Sequence, residues 1–225
     1  MTLQHFPAGS TAVVIGAGGG IGAALLRALE ADPAIAAAVP LGRATQPPLD
    51  LLEPDSIAAA AEAVAAAHVP PRLVLDATGV LHDAGTAPEK AWGQITAAGM
   101  ARAFAVNATG PALLIKHFLP LFPRSGRAVF ATLSARVGSI GDNRHGGWYA
   151  YRASKAALNQ IVRTAAVELA RKRPAAVCAA LHPGTVDTPL TQPFRKTGLT
   201  VRTPDEAAAD LLAVVDRLEP GGSGG

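Results

Sequence analysis

Tyr151 and Lys155, in the run YAYRASK, stand four positions apart. On a helix that spacing puts a phenol and an ammonium on one face. A neighbouring cation favours the phenolate and draws a tyrosine proton, normally held to about pH 10, toward the working range of an acid–base group. Tyr149 has no such partner, since position 153 is alanine. The second chemical feature is a loop. In VVIGAGGGIGAAL, Gly16, Gly20 and Gly22 lie between an apolar run and a helical one. Glycine there permits a tight turn and lets backbone N–H groups approach a pyrophosphate at the positive end of a helix. The spacing is G-x-x-x-G-x-G rather than the commoner G-x-G-x-x-G. Its place between a strand and a helix is what points to a dinucleotide.

Elements that would position these groups alternate along the chain. Strand candidates are 11–16, 36–41, 47–51, 72–77, 127–133 and 176–182. Helical stretches are 21–31, 55–67, 89–118 (broken near Gly99), 150–172 and 205–218. Strands alternating with helices predict an α/β fold, a doubly wound Rossmann-type parallel sheet covered on both faces. Pro40 lies inside the second strand, which makes it the weakest of the six. There is no internal repeat and no linker, so residues 1–218 read as one domain that binds the dinucleotide and carries the catalytic groups.

Composition narrows the class further. Charged residues make up 16% of 225, and 49% are hydrophobic, which is too apolar for disorder. The net charge is +3. Its one dense basic cluster, Arg171-Lys172-Arg173, precedes Pro174 at a helix end, where cations suit the dipole. No zinc spacing, stacking aromatic series or basic arm accompanies it, so neither nucleic acid nor a metal is expected. The first charged residue is Arg27, but six glycines between Gly9 and Gly22 argue against a signal peptide or a spanning helix. The single cysteine, Cys178, sits in an apolar run and fits a buried thiol in a reducing cytoplasm.

Five short runs, in order, resemble the short-chain dehydrogenase/reductase family: GAGGGIG (16–22), DATG (76–79), VNATGP (106–111), YRASKAAL (151–158) and HPGTVDT (182–188). LDL (49–51) matches the family's short acidic motif, and the segment from Ser134 to Asn159 looks most like the C-factor and sniffer-type carbonyl reductase subgroup. The resemblance implies an oxidoreductase that moves hydride between NADP(H) or NAD(H) and a carbonyl or alcohol. By it, Tyr151 is the general acid or base, Lys155 tunes the tyrosine and contacts the nicotinamide ribose, and Asn107 holds a water that links Lys155 to solvent. Gly16, Gly20, Ile21 and Gly22 would cradle the pyrophosphate, while Asp50 and Leu51 would meet the adenine. Ala77, Thr78 and Gly79 would lie along the cofactor. Pro183, Gly184, Val186 and Thr188 would line the nicotinamide end. The alternative implied by the same likeness is a C-factor-type signalling or regulatory protein that binds a dinucleotide with little turnover.

Departures from the family pattern leave some positions open. The common S-S-x-x-G run is here S-A-R-V-G, so Ala135 fills the slot of the carbonyl-polarising serine. Ser134, Ser139 or no serine then does that work, with Ser134 the first choice. Asp76 either caps local backbone or modifies the adenosine pocket. After the second strand there is no acid for a ribose 2′-hydroxyl, and Arg43 suits a 2′-phosphate, which favours NADP(H). His145 and Trp148 read as a substrate wall, His117 and Trp92 as packing, and 189–203 as a cover over the substrate. The family's usual final strand is missing, and 219–225 is expected to be a flexible Gly/Ser tail. That would bare the edge of the last strand and invite a homo-oligomer.

Overall fold

Apolar residues alternate between two faces along the strands, and both faces are covered. In the computed structural model, which describes residues 3–67, 69–82, 87–194 and 200–225, the strands are β1 (Ser10–Ile15), β2 (Ile35–Leu41), β3 (Leu73–Asp76), β4 (Ala128–Leu133) and β5 (Ala176–Leu181). Ala12 and Val14 of β1 point to a layer formed by α1 (Gly20–Glu30) and α6 (Pro204–Arg217). Val13 and Ile15 point the other way, to α2 (Pro54–Ala67), α4 (Gly110–Phe118) and α5 (Tyr149–Lys172). A shorter helix, α3 (Ala97–Phe104), precedes α4. This is the period-two pattern of a sheet buried on both sides.

All four strand pairs are parallel, in the order β2-β1-β3-β4-β5. The order reverses direction between β1 and β3, and such a switch point opens a crevice at the carboxyl ends of the strands. Register sets Ile15 beside Asp76 and Asp76 beside Thr132, so these strands end together at that crevice. Pro40 is tolerated because β2 is an edge strand.

Three expectations need correction. Residues 47–51 form no strand among the described elements. Pro47 and Pro48 offer no N–H to a ladder, and the chain instead folds back, with Leu49 N–H donating to Gly42 O at 2.9 Å. Among the described residues the sheet therefore has five strands. The stretch 89–118 is not helical from its start, because α3 begins at Ala97 under a cap from Thr96. Its interruption is a π-helical turn at Ala105–Thr109, not a break at Gly99.

The third concerns the last residues. Gly224 N–H donates to Cys178 O at 2.8 Å, Ala180 N–H to Gly225 O at 2.9 Å, and Cys178 N–H to the Ser223 hydroxyl at 3.0 Å. The segment expected to be a free tail thus occupies the outer edge of β5, and the argument for a homo-oligomer through that edge falls. Among the described residues, no helix is long and apolar enough to cross a membrane.

Candidate active site

The glycine loop closes on itself. Gly16 has φ +81°, a left-handed conformation that favours glycine. A Cβ on Gly22 would stand 2.1 Å from Gly16 O, so that turn admits no side chain. A Cβ on Gly20 would stand 2.8 Å from Thr188 Cγ2, which brings the loop after β5 against the start of α1. Beside this turn lies a cleft of about 420 Å³, whose walls include Gly16, Arg43, Asp50, Leu51, Ala77, Thr78 and Gly79. An extended ligand with a pyrophosphate fits such a cradle, because the backbone can approach closely at a helix N-terminus. Leu51 is pressed under Gly110, where a Cβ would come within 2.9 Å. Asp50 turns its carboxylate to the N–H of Leu52, at 3.0 Å. Arg43 is exposed at the rim, with no ion-pair partner among the described residues.

Other expected cofactor contacts lie outside that cleft's walls. Ile21 packs on the core between the sheet, α1 and α6. Val186 and Thr188 are buried and tied together through Thr191, whose hydroxyl donates to Val186 O. Pro183 is half-buried, and Gly184 has φ +78°.

Tyr151 and Lys155 occupy consecutive turns at the start of α5, with Lys155 Nζ 6.0 Å from the tyrosine ring centre. Nζ donates to Leu133 O at 2.8 Å and is almost sealed, at 3% residue exposure. Burial lowers the ammonium pKa to about 8, with Asp76 pulling the other way. Burial raises the phenol to about 12. The expected lowering of the tyrosine by its lysine is therefore not met in this geometry, where desolvation outweighs a cation lodged on a carbonyl. Tyr149 points elsewhere, into a cavity with Val137, Ile140 and Arg152.

Asn107 lies in the π turn and is fully buried. Its Oδ1 accepts from Val80 N–H at 2.8 Å, and its Nδ2 donates to Val80 O at 2.8 Å and to the Ser154 hydroxyl at 3.1 Å. This clasp fixes Gly79, on which a Cβ would stand 3.6 Å from Asn107 Oδ1 and 3.7 Å from Lys155 Nζ.

Ser134 is not brought to Tyr151. Its hydroxyl donates to Asn159 Oδ1 at 2.7 Å, two turns further along α5. It lines a cavity of about 480 Å³ with Ala135, Ser139 and His182, whereas Tyr151 lines a smaller one with Val80, Glu89 and Ala150. Asp76 does cap local backbone, accepting from Thr78 N–H at 3.0 Å.

Sequence reasoning missed the groups that hold Tyr151 in place. Trp148, left-handed at φ 53°, starts α5 without a side-chain cap of its own. Glu89 supplies one from outside: its carbonyl accepts from Trp148 N–H at 2.5 Å and its Oε2 from Ala150 N–H at 3.2 Å. Trp148, expected in the wall, stands edge-on to Tyr151 at 6.2 Å and to Phe194 at 5.3 Å, and Phe194 meets His82 at 5.3 Å. His145, its partner in that expectation, is exposed and has Asp142 for a neighbour. Trp92, read as packing, is 80% exposed. Of the expected cover, 195–199 lies outside the described residues. Contacts between segments far apart in the chain leave no periodic signal.

A switch-point crevice with a glycine cradle, and a half-buried tyrosine and buried lysine on the helix beside it, are an arrangement suited to nucleotide-dependent oxidoreduction. The family profile described as enoyl-(acyl carrier protein) reductase matches residues 18–210. The chain belongs to the short-chain dehydrogenase/reductase family. It is 33% identical to the 1-hydroxy-2-glutathionyl-2-methyl-3-butene dehydrogenase of Rhodococcus sp. (strain AD45), over 96% of this chain and 94% of that one. Against the C-signal of Myxococcus xanthus it is 39% identical over 60% of this chain and 76% of the other. Among solved structures it superposes on the NADPH-bound carbonyl reductase from chicken fatty liver with TM-score 0.82 and 25% identity, covering 97% and 95% of the two chains.

Proposed function

We propose that the protein is an NADP(H)-dependent carbonyl reductase or alcohol dehydrogenase whose proton is carried by Tyr151. The observation behind this reading is the Tyr151–Lys155 pair, whose tyrosine lines a cavity that shares Val80, His82 and Arg102 with the glycine-bordered cleft. Gly16, Gly20 and Gly22 would accommodate the pyrophosphate, Asp50 and Leu51 would border the adenine, and Arg43 would take the 2′-phosphate. The bound cofactor supplies or accepts the hydride. Tyr151 gives its proton to the carbonyl oxygen in reduction and takes one from the alcohol in the reverse direction. Lys155, held on the Leu133 carbonyl, would contact the nicotinamide ribose, and Asn107 keeps the loop around Gly79 against it. Trp148, Phe194 and His82 form an aromatic wall beside Tyr151, suited to the carbon skeleton of a small-molecule substrate. A cytoplasmic setting belongs to the same reading, because Cys178 is a free buried thiol.

A second reading is a dinucleotide-binding regulatory protein with little turnover. It is favoured by the likeness to C-signal, by alanine at 135 and by the engagement of Ser134 with Asn159.

Oxidation of NADPH and of NADH with a panel of aldehydes, ketones and quinones tests both. Turnover with NADPH that Tyr151→Phe abolishes, while NADPH binding survives, supports the enzyme. Tight NADPH binding without turnover on the panel supports the regulatory reading. Arg43→Ala is expected to weaken NADPH roughly tenfold or more and to leave NADH unchanged, the loss of one charged hydrogen-bonding partner. Equal affinity of the wild type for both cofactors refutes that part.

A further inference from the structure

β3 ends in an acid that the proposed activity does not use. Asp76 is 1% exposed. Its Oδ1 accepts from Thr78 N–H at 3.0 Å and from the Thr78 hydroxyl at 2.5 Å, and its Oδ2 accepts from the Thr132 hydroxyl at 2.6 Å. Thr132 is its register partner on β4, and the next residue, Leu133, provides the carbonyl that holds Lys155 Nζ. On the other side Gly79, three residues after Asp76, would bring a Cβ to 3.7 Å from the same Nζ. The carboxyl group and the ammonium are thus sealed into one wall of strand ends.

An ammonium so buried is costly unless an opposite charge lies near. Among the described residues the acids near this end of α5 include Asp76, Glu89 and Asp142; Glu89 is engaged at the helix start and Asp142 is paired with Arg136. The other titratable groups on the packed elements provide no anion at neutral pH. Tyr151 and Cys178 are both pushed up to about 12 by burial. Arg136 lies in the turn whose Gly138 packs on Lys155, Arg102 on α3, and Lys116 and His117 on α4. Burial raises the Asp76 carboxyl pKa, and its hydrogen bonds from Thr132 and Thr78, together with Lys155, oppose that rise.

We propose that Asp76 is a positioning residue for the Tyr151–Lys155 pair, its buried carboxylate being the counter-charge that keeps Lys155 an ammonium on the Leu133 carbonyl. The proposal rests on reading Tyr151 and Lys155 as the proton-transfer pair. Its primary test needs neither cofactor nor turnover.

The test follows the Lys155 Cε resonance by NMR against pH in nucleotide-free protein, assigned with Lys155→Arg. The wild-type midpoint is expected near 8. In Asp76→Asn it falls by about one pH unit, the smaller end of what a close opposite charge does. In Thr132→Val, which removes one donor to the carboxylate, it falls by less. The pH profile of kcat then moves in the same direction in both variants. An unmoved midpoint in either folded variant overturns the proposal, and Thr132→Val keeps it open to refutation should Asp76→Asn fail to fold. A moved midpoint with no turnover on any substrate upholds the counter-charge and overturns the enzyme reading instead.

Discussion

Replacing Lys155 with methionine and Asp76 with asparagine together should destroy turnover and make the fold more stable. Burial holds the Lys155 ammonium pKa at about 8, against 10.5 for a solvated lysine. One pH unit corresponds to about 1.36 kcal/mol, so keeping this lysine charged costs the native state about 3 kcal/mol at pH 7. Methionine has nearly the same length and carries no charge. It loses the hydrogen bond to Leu133 O, a loss of about 1 kcal/mol. With the buried acid removed as well, the double variant should therefore be more stable by about 1–2 kcal/mol at pH 7. The pH dependence gives the sharper check. Below pH 8 the lysine is charged in both states and its cost is constant. Between 8 and 10.5 the native lysine has released its proton while the unfolded one keeps it, so wild-type stability rises with pH relative to the variant. Cys178, raised by burial, acts on both proteins alike and cancels in the difference. Urea unfolding followed by circular dichroism at pH 7, 8 and 9 reads both quantities. A variant less stable at pH 7, with a pH dependence parallel to that of the wild type, would refute the reasoning.

Gly22→Ala places a methyl group 2.1 Å from Gly16 O and should cost more than about 2 kcal/mol together with most nucleotide affinity, measured by melting and NADPH titration. Glu89→Ala removes the borrowed cap of α5 and should destabilise by about 1 kcal/mol, whereas Glu89→Gln keeps an acceptor and most of the stability. If Glu89→Ala melts like the wild type and turns over equally fast, the cap has no bearing on Tyr151.

The parts of this site that were legible are the local ones. Tyr151 and Lys155 share a face because helical spacing requires it, and the glycine loop is visible because only glycine fits its turn. Strand residues such as Ala12 to Ile15 announce themselves by burial on both faces. The stretch 47–51 looked like a strand through Leu49 and Leu51, but two prolines deprive it of ladder donors. Asp76 was visible as an acid. Its link to Lys155 was not, because that link depends on the pairing of Asp76 with Thr132 across the sheet. Glu89 reaches α5 from a segment some sixty positions away in the chain, and nothing in its own neighbourhood announces that contact. Ser134 is the serine that the S-A-R-V-G run favours despite its long separation from Tyr151, while its hydroxyl is held by Asn159, a partner that the motif cannot supply.

The π turn at Ala105–Thr109 works like an extra tooth in a screw thread. An α-helix advances about 100° per residue, so a residue removed here would turn one flanking helix by that angle relative to the other. Turning α4 would swing Leu114 and Phe118, both completely buried, out of the core. Turning α3 would carry Arg102 and Ala103 away from the cavity beside Tyr151. Either way the irregularity that carries Asn107 is locked by packing on both sides. Drift in this stretch is thus restricted to exchanging residues, because losing one would strip the core or the site.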